Sequence, residues 1–339
     1  MPSRLLCLAA SCACLAALSQ PARAASNGGE DDRRGKVDAA AASPGWFPFA
    51  PKTDTFAESP MDLRFLNEKF AGEHGFIAVK DGHFIHRANG QPVRFWAVNG
   101  PGREDKDRAA LRRTARLLAK YGVNLLRRHG SVFDKDGELD PAAVQRTIAI
   151  VEEMKAEGLY THLSIYFPLW LTPRADHPWL EGYDGKKHPF AALMFNPKFQ
   201  EKYRGWWKAL LTTPSETTGK TLAEDPALFG LELQNEDSFF FWTFDAKNIP
   251  DAQLRLLEKM FADWLVTKHG SLDAAFTTWK GQKINRDAPA EGRSPSVRSG
   301  TSSMKNPLAI RIPRRSCSKR RRSSIGTVWR SCGSSPSRA

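Results

Sequence analysis

The chain has 339 residues, of which 41% are hydrophobic and 26% charged, a composition typical of a globular protein that can bury a substantial core. Its formal net charge of +13 is concentrated at one end. Residues 291–339 carry a net charge of +11, which leaves only +2 for the first 290 residues. A nearly neutral body argues against nucleic acid as the partner, despite the basic overall balance.

The first 24 residues have the plan of a secretory signal peptide. An apolar stretch at 5–18 is followed by an Ala-Arg-Ala cleavage pattern at 22–24, so we expect a secreted or periplasmic protein. Of the five cysteines, three lie in this segment and two in the basic tail. Residues 25–290 therefore form no disulfides, and no later apolar run approaches the length of a membrane span.

The next two segments predict a linker and a lead-in. Residues 25–45 are small and charged, as in a linker, and residues 46–91 lead into the main domain. Within the lead-in, the Asp81-Gly82 and Asn89-Gly90 pairs indicate turns beside short strands. A third strand, at 93–98, is the predicted first strand of a barrel.

Strands and helices then alternate over the predicted domain at 92–288. In chain order we predict a helix at 105–121, a strand within 122–130, a helix at 141–157, a strand at 159–167, a helix through Trp206 and Trp207, a strand at 228–235, a helix at 251–269 and a short helix reaching Trp279. Such alternation implies parallel strands joined by right-handed crossovers. The predicted fold class is an incomplete (β/α)8 TIM barrel, with about its first half present.

Residues 289–339 differ from everything before them. They are rich in Arg and Ser and have no apolar period, which predicts a disordered tail. Codons for residues 315–334 can be chosen so that reading from one nucleotide earlier gives an acidic, amphipathic sequence without a stop. We interpret the tail as a frameshifted end of a chain that continued as further barrel.

The stretch at 227–242, ALFGLELQNEDSFFFW, is the most informative part of the chain. A short apolar run typical of a buried strand ends abruptly in Asn235, Glu236 and Asp237. An Asn-Glu pair can also cap a helix. Its position after a buried strand favours chemistry, since barrel enzymes keep their functional groups at the carboxyl ends of strands.

Four segments together resemble glycoside hydrolases of clan A, with similarity to family 42 β-galactosidases and to family 5. They are GVNLLRRHG, LYTHLSIYF, LFGLELQNED and WLVTKHGSLDAAFTTWKG, and the resemblance covers roughly residues 92–282. It implies retaining hydrolysis of β-linked oligo- or polysaccharide without a cofactor. Glu236 matches the family's acid/base, Asn235 the residue that binds the sugar 2-hydroxyl, and Arg127 the arginine that supports the nucleophile.

Retaining hydrolysis requires a second carboxylate about 5 Å from the first. Glu232 lies on the same side of the predicted strand but about 13 Å along it, so we interpret it as a paired structural residue. The family's nucleophile follows a seventh strand, and Glu291 has no strand-like surroundings. We therefore expect the chain as written to lack its nucleophile. The alternative is a carbohydrate-binding protein without catalysis.

Further pocket residues are expected from the loops and strand ends. His129 and His162 are candidates, although a histidine at a strand end is often structural. Trp242 is the best candidate for a sugar-stacking platform, and Trp170 a weaker one. The histidines show no metal-ligand spacing, so we predict no metal site. The oligomeric state is left open.

Overall fold

The computed structural model describes residues 53–102, 107–177, 179–239, 241, 243–245, 247–281, 283 and 285–295. The chain divides into two compact units between Thr55 and Phe56, and every element below belongs to the second unit. The predicted signal peptide and linker, and the tail beyond Pro295, lie outside the described residues.

A β-hairpin precedes the main sheet. It consists of β1 (Ile77–Lys80) and β2 (His83–His86), which pair antiparallel. Asp81 and Gly82, with φ of 51° and 78°, form the tight turn between them. Positive φ at both central positions matches the right-handed twist of the strands, so the turn predicted from Asp-Gly is confirmed.

The following strand begins later than the sequence suggests. We predicted a strand at 93–98, whereas β3 is Ala97–Asn99. Asn124 explains the difference, because its side-chain Oδ1 accepts the backbone N–H of Trp96 at 2.8 Å and its Nδ2 donates to the carbonyl of Arg94 at 2.8 Å. An amide side chain thus takes hydrogen bonds that a neighbouring strand would otherwise make.

The predicted alternation of helices and strands is present. The remaining elements are α1 (Arg108–Lys120), β4 (Leu125–His129), α2 (Pro141–Ala156), β5 (Tyr160–Ser164), α3 (Pro197–Thr212), β6 (Leu228–Glu232), α4 (Asp251–His269) and α5 (Leu272–Thr278). Side-chain N-caps begin four of the five helices, namely Asp107, Asp140, Asn196 and Ser271. In the described part of the chain, no helix is both long and apolar enough to cross a bilayer.

The main sheet has four parallel strands in the order β3-β4-β5-β6. Its register aligns Asn99 with Arg127, and Arg127 with His162. Two residues further along, Ser164 lies between His129 and Glu232. Within the described ranges β3 and β6 each have a single neighbour, so the sheet is a partial α/β fold and not a closed barrel.

Helices cover one face of this sheet. Leu126 of β4 packs in a cluster with Leu111 and Ala115 of α1 and with Ile150 and Met154 of α2. A larger cluster surrounds the aromatic residues of α3, which include Tyr203, Trp206 and Trp207. Because side chains alternate along a strand, Arg127, His162 and Glu232 point to the opposite face. That face carries the candidate site.

The first part of the predicted tail packs against α4. Residues 289–291 form a short 3-10 turn, and Arg293 donates to the buried carboxylate of Glu258 in α4 at 2.6 Å. Arg286 binds the other oxygen of Glu258. Glu291 lies in the turn, exposed and paired with Arg293, as expected for a residue that does not follow a strand.

Candidate active site

Arg127, in β4, forms hydrogen bonds to side chains of the other three strands. Its Nε lies 2.7 Å from Oε2 of Glu232 in β6, and its Nη2 lies 2.5 Å from the same oxygen. Its Nη1 donates to Oδ1 of Asn99 at 3.2 Å, and its Nη2 donates to Oδ1 of Asn235 at 3.0 Å. The parallel register creates this meeting, since it aligns Asn99 with Arg127. Glu232 is therefore a paired residue, as predicted.

His129 and Trp170 form a second part of the same edge. Nδ1 of His129 lies 2.9 Å from Oγ of Ser164, and the rings of His129 and Trp170 have centroids 4.5 Å apart. Burial lowers the pKa of His129 below 6.5, and the charge of Arg127 lowers it further, against opposing contributions from Glu232 and Glu236. His129 is thus close enough to both carboxylates to sense their charge.

His162 lies two residues before the end of β5, and its register partner in β6 is Gly230. A Cβ on Gly230 would lie 3.3 Å from its Nδ1, so the glycine allows the ring to approach the strand. Its Nδ1 is buried and has no hydrogen-bond partner within the described part of the chain. Burial lowers the pKa of His162, the charge of Glu232 raises it, and that of Arg127 lowers it.

The predicted strand at 228–235 is too long, because β6 ends at Glu232. Directly beyond that end, the hydroxyl of Tyr203 donates to the carbonyl of Leu233. Glu236 then adopts a left-handed backbone, with φ of 46°, and its side chain is exposed. Strand alternation therefore does not set the direction of Glu236, contrary to our expectation. A turn presents it.

Asp237 follows Glu236 and has the opposite environment. It is 3% exposed, and its Oδ1 accepts the backbone N–H of Ala191 at 2.8 Å. Burial raises the pKa of Tyr166 and Tyr183, and the negative charge of Asp237 raises both further. Of these two adjacent carboxylates, Glu236 is therefore exposed to solvent and Asp237 is buried in the interior.

The structure brings together most of the predicted site residues. Arg127, His129, Trp170 and Asn235 lie at one edge with Glu236, and His162 lies beneath them on the same face. Trp242 falls outside the described residues. Sequence reasoning missed Asn99 and Ser164, although both stand at strand ends, a position that could have identified them. It named Asp237 but assigned it no role. The described residues include no group of three or more His, Cys, Asp or Glu arranged to hold a metal ion.

No family model matches the chain, and no curated protein matches it. Solved structures of other proteins are similar over part of their length, and they include the following three. An endo-1,4-beta-mannanase from Rhizomucor miehei is 14% identical, with a TM-score of 0.39 over 58% of this chain and 57% of that one. The exo-beta-1,4-mannosidase Op5Man5 from Opitutaceae bacterium strain TAV5 is 17% identical, with a TM-score of 0.34 over 61% and 34%.

The third, GH5_18 from Streptomyces cattleya in complex with GlcNAc, is 20% identical, with a TM-score of 0.34 over 53% of this chain and 41% of that one. This chain therefore spans less than two thirds of each of these proteins. Similarity at this level leaves the function of the chain open.

Proposed function

We propose that this chain is part of an exported retaining glycoside hydrolase that acts on β-linked oligo- or polysaccharide, with Glu236 as acid/base. One observation carries the proposal. Glu236 is exposed at the carboxyl edge of a parallel sheet, directly after an asparagine that is bound by Arg127 from another strand. The carboxyl ends of parallel strands are where this class of fold holds its chemistry.

The local geometry suits the two roles proposed for Asn235 and Glu236. Because Arg127 donates to Oδ1 of Asn235, the amide is oriented and its Nδ2 becomes the end that donates to a sugar hydroxyl. In this proposal a second carboxylate of the complete enzyme bonds to the anomeric carbon while Glu236 protonates the departing glycosidic oxygen. Water then displaces that carboxylate, and Glu236 takes the proton from the water. Trp170, packed on His129, offers a partly exposed aromatic surface for the apolar face of a sugar ring.

A carbohydrate-binding protein without catalysis is the second candidate. The observation in its favour is the ion pair between Arg127 and Glu232. Glu232 is the carboxylate at this edge besides Glu236, and Arg127 already binds it. A site with one available carboxyl group binds a sugar but does not form and resolve a glycosyl-enzyme.

Azide provides a direct test, since a small anion can replace an absent carboxylate nucleophile. The full chain is incubated with azide and either β-linked disaccharides or 4-nitrophenyl β-hexosides. Azide forms a bond to the anomeric carbon while the glycosidic bond breaks, and Glu236 gives its proton to the departing oxygen. We expect glycosyl azide from both substrates.

The leaving group isolates the role of Glu236. Glu236→Gln should lower the rate with disaccharides by about 100-fold or more, and much less with nitrophenyl glycosides, whose leaving group needs no proton. Glu224→Gln is the matched control, because Glu224 precedes β6 and is exposed at the other end of that strand. Equal rates for Glu236→Gln and the unaltered chain would refute the acid/base role. Calorimetric sugar binding without product would support the second candidate.

A further inference from the structure

One hydrogen bond joins two segments that each contain an unusual backbone conformation. Ala191 and Glu236 have φ of 56° and 46°, and Oδ1 of Asp237, the residue after Glu236, accepts the N–H of Ala191. Within the described ranges, five non-glycine residues have a positive φ. The left-handed conformation is disfavoured for any residue with a Cβ, so both segments need surrounding structure to hold them.

The environment of this hydrogen bond makes it costly to break. Asp237 is 3% exposed and Ala191 is fully buried, so neither group meets water if they separate. A hydrogen bond to a charged group is stronger than a neutral one, so the loss of this donor from a buried carboxylate is unfavourable. The charge of Asp237 also reaches the buried phenols of Tyr166 and Tyr183.

Two further contacts hold the same region. On one side of Glu236, the hydroxyl of Tyr203 binds the carbonyl of Leu233. On the other side, the rings of Phe195 and Phe239 stack with centroids 6.2 Å apart. Phe195 and Ala191 belong to the loop after β5, and Phe239 belongs to the turn after β6. The exposed Glu236 therefore lies between two contacts with buried side chains, those of Tyr203 and Phe195.

We propose that Asp237 is a positioning residue, which holds Glu236 in its left-handed conformation by binding Ala191 and so joins the turn after β6 to the loop after β5. The catalytic part of this inference rests on the function proposed for Glu236.

Hydrogen exchange tests the positioning without any sugar. In Asp237→Ala, amide exchange at Ala191 and at residues 235–239 should become at least about tenfold faster, while α2 stays unchanged. Asp237→Asn keeps an acceptor oxygen for Ala191, and exchange should stay within about threefold of the unaltered chain. Equal exchange in the alanine and asparagine variants would overturn the proposal.

Ala191→Gly provides a second variant that tests the strain directly. Glycine adopts positive φ without a steric penalty, so this change should make the segment less dependent on Asp237. Added to Asp237→Ala, it should recover about half or more of the lost protection on a logarithmic scale. Protection that is unaffected by Ala191→Gly in the Asp237→Ala background would contradict the coupling. If Asp237→Ala alone folds poorly, Asp237→Asn still gives a readout, because exchange at Ala191 more than about threefold faster in that variant would contradict the proposal.

The azide reaction with disaccharides adds the catalytic readout. Asp237→Ala should lower kcat by about tenfold with KM changed less than about twofold, and Asp237→Asn should restore most of kcat. A rise in KM alone, without loss of kcat, would refute a positioning role. If exchange responds as expected while Glu236→Gln has no effect on the reaction, the proposed function fails and the structural coupling stands.

Discussion

Arg127 has two functions at the site. It binds Glu232, and it also orients Asn235, with both contacts made by a side chain that is 27% exposed. Partial burial makes the two roles interdependent, because loss of Arg127 would leave Glu232 without a cation in a semi-buried position. The residue that fixes the orientation of the Asn235 amide therefore also stabilises the sheet.

His162 predicts how the stability of the protein depends on pH. Burial lowers its folded-state pKa below 6.5, so the folded protein binds fewer protons than the unfolded chain near that pH. Its contribution to stability is complete above 6.5 and is lost as pH falls from there towards the lowered pKa. We expect the free energy of unfolding in urea to decrease between about pH 7.5 and about pH 5, by at most about 1.4 kcal/mol per pH unit for this proton.

His162→Gln should make that pH dependence shallower. His83→Gln is the control, since His83 is exposed in the hairpin. An identical pH profile for His162→Gln and the unaltered chain would show that this histidine does not contribute.

At the level of elements, replacing two different glycines by alanine should change the free energy of unfolding in opposite directions. Gly158, which follows α2, has φ of 79°, and a Cβ there would collide with the carbonyl oxygen of Glu68. Gly205 is exposed within α3, and a Cβ there would meet nothing within 4 Å. Gly158→Ala should lower the free energy of unfolding by about 2 kcal/mol or more. Gly205→Ala should raise it by about 0.5–1 kcal/mol.

Urea unfolding of the two variants side by side measures both effects, and each serves as the control for the other. The contrast depends on backbone conformation and on local space, because the chemical change is the same. A stabilising Gly158→Ala would mean that α2 does not end against residue 68 as described.

At the level of the whole molecule, the described sheet has two strands with open edges. Large apolar side chains are also exposed before and beside β3, including Met61, Phe65 and Trp96, at 69%, 78% and 68%. Open edges and exposed apolar groups promote association. We therefore expect the chain as written to self-associate with rising concentration in sedimentation experiments.

Substituting Phe65 and Trp96 by Lys should reduce this association. Val266→Lys is the control, because Val266 is an exposed apolar residue of α4, away from this region. A monomer at every concentration, with a sharp cooperative melting transition, would contradict the expectation.

The sequence by itself determined the kind and order of the elements. Apolar spacing identified the helices, and Gly and Pro marked their ends, so α4 was predicted with its bounds. These signals are local, because propensity and amphipathic periodicity act within a few residues of the chain. The same local pattern located the Asn-Glu pair after an apolar run, and the resemblance of the flanking segments supplied the role predicted for Glu236.

Only the tertiary structure decided how those residues meet. Arg127 binds Glu232 across 105 positions of sequence, and that contact depends on the register of β4, β5 and β6. Residues beside the end of β6 and beside Glu236 bind Tyr203 and Ala191, which belong to a helix and a loop earlier in the chain. The pattern of residues within 228–237 does not indicate that Tyr203 and Ala191 are the partners of this segment. The direction of Glu236 and the burial of Asp237 follow from long-range packing, which a local pattern does not contain.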